Sequence, residues 1–125
     1  MLINDQQTVN VLTLAFLRYE KALTENDVQV LDELFWDNHL TIRYGASENL
    51  YGFQEIQEFR NSRSPKGLNR EITKQVITTY GYELGTANIE YTNIATGKLG
   101  RQSQTWIKTT LGWRVVSAHV SWLNN

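Results

Sequence analysis

The sequence predicts an α+β fold, a single domain over residues 1–125 in which three N-terminal helices pack on the concave face of a curved, mostly antiparallel sheet. Three observations predict it. Apolar residues recur at helical spacing in the first half of the chain. In the second half they alternate with polar ones, and Thr, Val, Ile and Tyr are abundant. Glycine-bearing turns divide that second half into strands. A run of helices followed by a run of strands is the α+β order.

Asn4 reads as an N-cap with Gln7 in the reciprocal capping position, and the stripe Val9, Leu12, Phe16, Tyr19, Leu23 follows at helical spacing. Asn26 with Gln29 repeats the signal and opens a short helix through Val28, Leu31, Leu34 and Phe35. Next comes a short strand ending at Gly45, with Leu40, Ile42 and Tyr44 on one side and Thr41 and Arg43 on the other. Glu48-Asn49 reads as a turn at a pocket mouth. Gly52 starts a third helix anchored by Ile56 and Phe59, which the stretch around Pro65 breaks. Strands are expected over residues 69–80 and 83–93. A closing hairpin from Gly100 to Trp122 turns at Thr110-Leu111-Gly112. On that hairpin Gln102, Gln104 and Trp106 share one face of the first strand, and Ser117, His119 and Ser121 share a face of the second.

Composition narrows the classes. The 41% hydrophobic and 11% aromatic content fits a folded domain. Twelve basic against thirteen acidic residues give no electrostatic case for nucleic acid or an anionic membrane surface. There is no cysteine, so thiolate chemistry is excluded, and two histidines make a histidine-rich metal site unexpected. No N-terminal signal pattern and no membrane-length apolar run is visible. A cytoplasmic protein is therefore expected. Trp36, Trp106, Trp113 and Trp122 read as core or interface aromatics, and Arg63, Arg70 and Arg101 as surface or interface residues.

Several polar residues fall where patterning predicts an interior: Tyr19, Arg43, Arg60, Gln104, Ser117, His119 and Ser121. Singly, each has an ordinary reading. Tyr19 is then a core tyrosine, Arg43 an edge-strand surface residue, Arg60 a snorkelling side chain, and His119 a structural histidine. Together they describe a polar pocket. An inward arginine requires an anionic partner, and no acid falls on the inferred face of both Arg43 and Arg60. Arginine binds carboxylates bidentately, so the pocket is expected to prefer a small mono- or dicarboxylate, with Arg43 as its principal contact.

The helix order, the opening from Arg18 to Trp36 and the closing hairpin resemble the NTF2-like superfamily, whose cystatin-like cone encloses one pocket. Its ketosteroid isomerase branch is similar at particular positions. The Arg-Tyr pair of that branch's first helix is matched by Arg18-Tyr19, which implies an oxyanion-donor role for Tyr19. The branch's aspartate base falls at Arg43, its second pocket tyrosine at Arg60, and its second pocket acid near Gln104. Guanidinium stays protonated at neutral pH, so the isomerase chemistry does not carry over. Three longer stretches, Met1 to Trp36, Arg43 to Gly52 and Gly100 to Ser121, resemble the HpxZ/AtzH-like group. That group is associated with oxalurate and ureide catabolism, a branch of purine degradation.

This resemblance implies a small carboxylated ureide, of oxalurate or carboxyurea type, as ligand. Tyr19 or His119 would move a proton, and Arg43, Arg60, Gln104, Ser117 and Ser121 would bind the substrate. No nucleophilic triad or metal-ligand set stands out, so decarboxylation or hydrolysis without a cofactor is expected. The rival reading is a non-catalytic ligand-binding or assembly partner of a ureide amidase. A homodimer is also expected, through an apolar row of Val116, Ala118, Val120 and Trp122 on the sheet face opposite the pocket.

Overall fold

Asp5, not Asn4, caps the first helix. In the computed structural model, which describes residues 1–123, its side chain accepts hydrogen bonds from the Thr8 backbone N–H and hydroxyl. Asn4 instead ties the chain start to the sheet. It exchanges backbone and side-chain hydrogen bonds with Thr79. Helix α1 then runs Gln6–Glu25. Its buried stripe is Leu12, Phe16, Tyr19 and Leu23, joined by Glu20. Asn26 also differs from expectation: it ends α1 in the left-handed conformation, at φ 52°. Asp27 caps α2 (Val28–Leu34) by accepting from the Val30 N–H. Both shifts have one cause. An aspartate beside an asparagine competes for the same cap, and the left-handed position after a helix favours asparagine.

After α2 come β1 (Ile42–Tyr44), β2 (Asn49–Tyr51), α3 (Phe53–Ser62), β3 (Arg70–Tyr80), β4 (Leu84–Asn93), β5 (Leu99–Thr109) and β6 (Gly112–Trp122). The stretch read as a turn at Asn49 is thus the start of an edge strand. The six strands order as β2-β1-β6-β5-β4-β3. Every pairing is antiparallel except β1 with β6. Buried residues of the three helices and of alternate positions on β4, β5 and β6 form one core cluster centred on Phe16, Phe35, Ile56, Ala87, Ile89, Trp106 and Val115.

A β-bulge decides which side chains reach that core. On β5 the inward positions are Gly100, Gln102, Gln104 and Trp106. Trp106 pairs with Val115, but Thr105 pairs with Ser117, so Val116 is the extra residue. Beyond it the parity of β6 inverts. Ala118 opposes Gln104, Val120 opposes Gln102, and Trp122 opposes Gly100. Ser117 and His119 are exposed on the other face. The apolar row expected to face a second copy is therefore interior, apart from the bulge residue itself. The parallel pairing carries the same parity to β1, where Arg43 lies beside Ala118 and Tyr44 beside His119. Thr41 and Arg43 are buried while Leu40 is exposed, the reverse of a hydrophobic-in reading.

The cap assignment is testable by denaturation. Asp27→Ala should cost about 1 kcal/mol. Gln29→Ala, outside the cap, should change stability by less than about 0.5 kcal/mol. Equal losses would return the cap to Asn26.

Candidate functional site

Between α1, the α3–β3 connection and the inner face of the sheet lies a cavity of about 140 Å³. Tyr19 and Leu23 enter from α1, Arg43 from β1, and Arg63 and Leu68 from the connection. Arg70, Tyr91, Gln102, Val120 and Trp122 enter from the long strands. Pockets that take drug-sized ligands are roughly 300–1,000 Å³, so this one suits a small molecule.

The wall is cationic. Arg43 is 8% exposed and Arg60, just behind the cavity, is 1% exposed. Each guanidinium of the group rests on an aromatic ring. Arg43 and Arg63 lie 5.4 and 5.9 Å from the Phe59 centroid, Arg60 lies 4.1 Å from Phe35, and Arg70 lies 4.4 Å from Tyr91. Such contacts contribute attraction without supplying a counter-charge. Gly100 makes the Arg70 stack geometrically feasible. A Cβ there would stand 2.2 Å from Tyr91 Cζ, so the ring can cross β5 only over a glycine.

Counter-charges come from three elements. Glu20 of α1 accepts from Arg70 Nε and Nη2. Glu48 accepts from Arg43 Nη1 at 2.9 Å. Asp32 of α2 is 3.4 Å from Arg60 Nη1 and also accepts from Gln57. Arg63 has no acid partner among the described residues. The electrostatics follow. Burial, with the like charges of Arg43 and Arg63, brings Arg60 down to about 10. Burial and the neighbouring Arg43 likewise lower Arg63. Burial alone would lower Arg70, but Glu20 outweighs it and the net shift is upward. Burial raises the Tyr91 hydroxyl against the opposing pull of Arg70.

Two glutamines finish the wall and the layer beneath it. Gln102 Oε1 accepts from Arg70 Nη2 at 3.0 Å, and Gln104 Oε1 accepts from Trp106 Nε1 at 3.0 Å. Each carbonyl is thereby used, which leaves each amide as a donor. Buried and without an acceptor are Gln102 Nε2, Gln104 Nε2, Arg60 Nη2, and Arg63 Nε and Nη2. Buried polar groups normally find partners, and these five donor atoms have none among the described residues.

Of the residues the sequence singled out, Tyr19 and Arg43 line the cavity, and Arg60 and Gln104 lie buried behind it. Ser117, His119 and Ser121 do not join them. They follow the inverted parity of β6, and the His119 ring stands edge-on to Tyr44 at 5.5 Å on the outer face. Arg63 and Arg70, read as surface or interface residues, are cavity residues. Arg101 is exposed, as expected. Glu20 had a legible signal: it lies four residues after Phe16 and three before Leu23, on the buried stripe, where an acid needs a cation. Gln102 had one too, since it shares a strand face with Gln104 and Trp106; Arg63 had none, because a broken helix end places it.

Arg60 generates a stability prediction. Its folded pKa lies below the ordinary arginine value, so carrying the charge at neutral pH costs stability. Asp32 would keep Gln57 if Arg60 were removed. Arg60→Met is expected to keep or raise the ligand-free melting temperature, by up to about 5 °C. A clear fall would mean that the Asp32 pairing holds the fold.

The AtzH-like family matches the chain over residues 1–125. No curated protein matches it. Among solved structures, a protein of unknown function from Pectobacterium atrosepticum is 52% identical, with a TM-score of 0.95 over 98% of this chain and 95% of that one. A cystatin-like fold protein from Burkholderia xenovorans is 38% identical, with a TM-score of 0.95 over 100% and 98%. An NTF2-like superfamily protein from Salmonella enterica, 22% identical with a TM-score of 0.79 over 95% and 93%, shares the fold. With a match along its whole length and a 52% identical relative of the same fold, this chain belongs to the AtzH-like family.

Proposed function

We propose that the arginine-lined cavity binds a small carboxylated ureide, of oxalurate or carboxyurea type. The observation that carries this reading is the set of orphaned donors on Arg63 and Gln102, with those of Arg60 and Gln104 behind them. Nitrogen donors without acceptors select carboxylate and carbonyl oxygens over a neutral apolar ligand. The small cavity sets the size class.

Cofactor-free decarboxylation is the reaction that suits these residues, with hydrolysis as the other route to the same product class. In an N-carboxylated urea the N–C bond to the carboxylate breaks, carbon dioxide leaves, and the electron pair stays on nitrogen. Nitrogen then takes a proton. Tyr19 lines the cavity and carries a hydroxyl able to give it, with water restoring the phenol. A binding-only role, as the ligand-sensing partner of an amidase, draws support from one feature. Both carboxylates beside the cavity, Glu20 and Glu48, are paired with arginines, so among the described residues no carboxylate there is unpaired in the absence of a competing anion.

Calorimetric titration with malonate and with a carboxylated urea, beside neutral urea, tests the anion preference. The anions should bind and urea should not. Arg63→Met and Arg43→Met should each weaken anion binding by about tenfold or more, since a charge-assisted hydrogen bond contributes roughly 1.5–3 kcal/mol. Urea binding as tightly as malonate would defeat the reading. Carbon dioxide release from the carboxylated urea, lost in Tyr19→Phe with binding retained, would establish the chemistry. Binding without release of carbon dioxide or ammonia would establish the sensing role instead.

A further inference from the structure

Arg43 and Arg70 are both paired, but the pairings differ in kind. Glu20 projects from the middle of α1, its side chain is 10% exposed, and it meets Arg70 through two nitrogens. It is built into the wall. Glu48 sits in the four-residue connection between β1 and the edge strand β2, and its side chain is 22% exposed. A single contact joins it to Arg43, and only Ser47 holds its second oxygen, from N at 3.3 Å and Oγ at 3.0 Å. It is not among the cavity-lining residues, and it is the more exposed partner of the pair, at 22% against 9% for the Arg43 side chain.

Gly45 is what lets Glu48 lie there. A Cβ at position 45 would stand 1.6 Å from Glu48 Oε1 and 2.3 Å from Cδ, with no backbone atom among its nearest neighbours. Its φ is not positive, so the backbone makes no separate demand for glycine. The Gly45 N–H donates to the Glu48 carbonyl at 2.9 Å and closes the turn. The connection thus returns one carboxylate to Arg43 from a tight turn whose tip, Ala46 and Ser47, is exposed.

Resting on the reading that the cavity binds a carboxylate, we propose that Glu48 is a displaceable internal competitor, which holds Arg43 while the cavity is empty and yields it to the ligand's carboxylate. Burial would raise the Glu48 pKa, but hydrogen bonds from Arg43 and Ser47 outweigh it and hold it below the ordinary range. The competitor is therefore ionised at neutral pH. Only a ligand that replaces its charge can take the guanidinium without leaving it unpaired. Glu48 sets the affinity and filters for anions, while Arg63 and the glutamine amides supply the attraction.

Malonate titration of the full chain at neutral pH tests this, with the parent, Glu48→Gln, Gly45→Ala and the double variant. Glu48→Gln should bind malonate about tenfold tighter or more, because a charge-assisted contact no longer has to be broken. Gly45→Ala should act in the same direction, since its methyl displaces the same carboxylate without changing any charge. The double variant should gain little over Glu48→Gln alone. Placed in Arg43→Met, Glu48→Gln should have no effect. The ligand-free melting temperature of Glu48→Gln should be equal to or below the parent's, which separates tighter binding from general stabilisation. Malonate binding by the parent with no gain in Glu48→Gln and Gly45→Ala overturns the competitor and leaves the anion site standing. No malonate binding by the parent or by Glu48→Gln overturns both.

Discussion

A guanidinium that leaves water must find acceptors for its N–H groups and a surface for its two faces, and this domain buries two of them, Arg43 and Arg60, and partly buries two more, Arg63 and Arg70, around one small cavity. Much of the rest of the structure answers that demand. Phe35, Phe59 and Tyr91 supply flat surfaces. Glu20, Asp32 and Glu48 supply charge from three different elements. Gly100 clears space for the Tyr91 ring, and Gly45 clears space for the Glu48 carboxylate. The answer is incomplete in one place. Arg63 has a ring but no acid among the described residues, and the donors around it have no acceptors. Burying unpaired cationic donors is costly in a domain whose net stability is small, and that cost is the physical ground of the proposal that a small anion completes the site.

The bulge at Val116 organises the same site from the sheet side. Without the extra residue, β6 would present Ser117, His119 and Ser121 to the cavity. With it, Ala118, Val120 and Trp122 face inward, and two glutamines of β5 supply the polar contacts. The exchange matters chemically. Hydroxyls and an imidazole donate and accept, whereas an amide whose carbonyl is already used can only donate. Parallel pairing then transmits the parity to β1 and sets Arg43 on the cavity side beside a small Ala118, where there is room for a guanidinium. One inserted residue therefore decides both the sign of the hydrogen-bonding wall and the placement of one of its cations.

The local elements were legible in the sequence. The stripe of α1, the strand alternation and the glycine turns predicted helix, helix, strand, helix and four strands, and the described residues have that order with one strand, β2, added before α3. Tyr19 followed from helical spacing alone, because Phe16, Tyr19 and Leu23 must share a face whatever they pack against. An inward Arg43 was expected from the resemblance, which sets it at the pocket base of the isomerase branch; alternation alone, with Leu40, Ile42 and Tyr44 on the other side, would have turned it outward. The caps at Asp5 and Asp27 were missed by one residue, since adjacent Asn and Asp both suit a cap and only the surrounding geometry chooses.

What the sequence by itself determined, then, is whatever depends on neighbours within a turn or a strand: element type, element order, and the face on which a residue lies relative to its own element. The tertiary structure alone decided which of those faces meet. The pairing of Glu20 with Arg70 spans fifty residues, and that of Asp32 with Arg60 spans twenty-eight. The inversion of β6 rests on a register that no alternation in β6 alone reveals. Side-chain period in a strand is two, so one unpaired residue reverses every later assignment, and ion pairing is a property of distance in space that chain spacing does not encode.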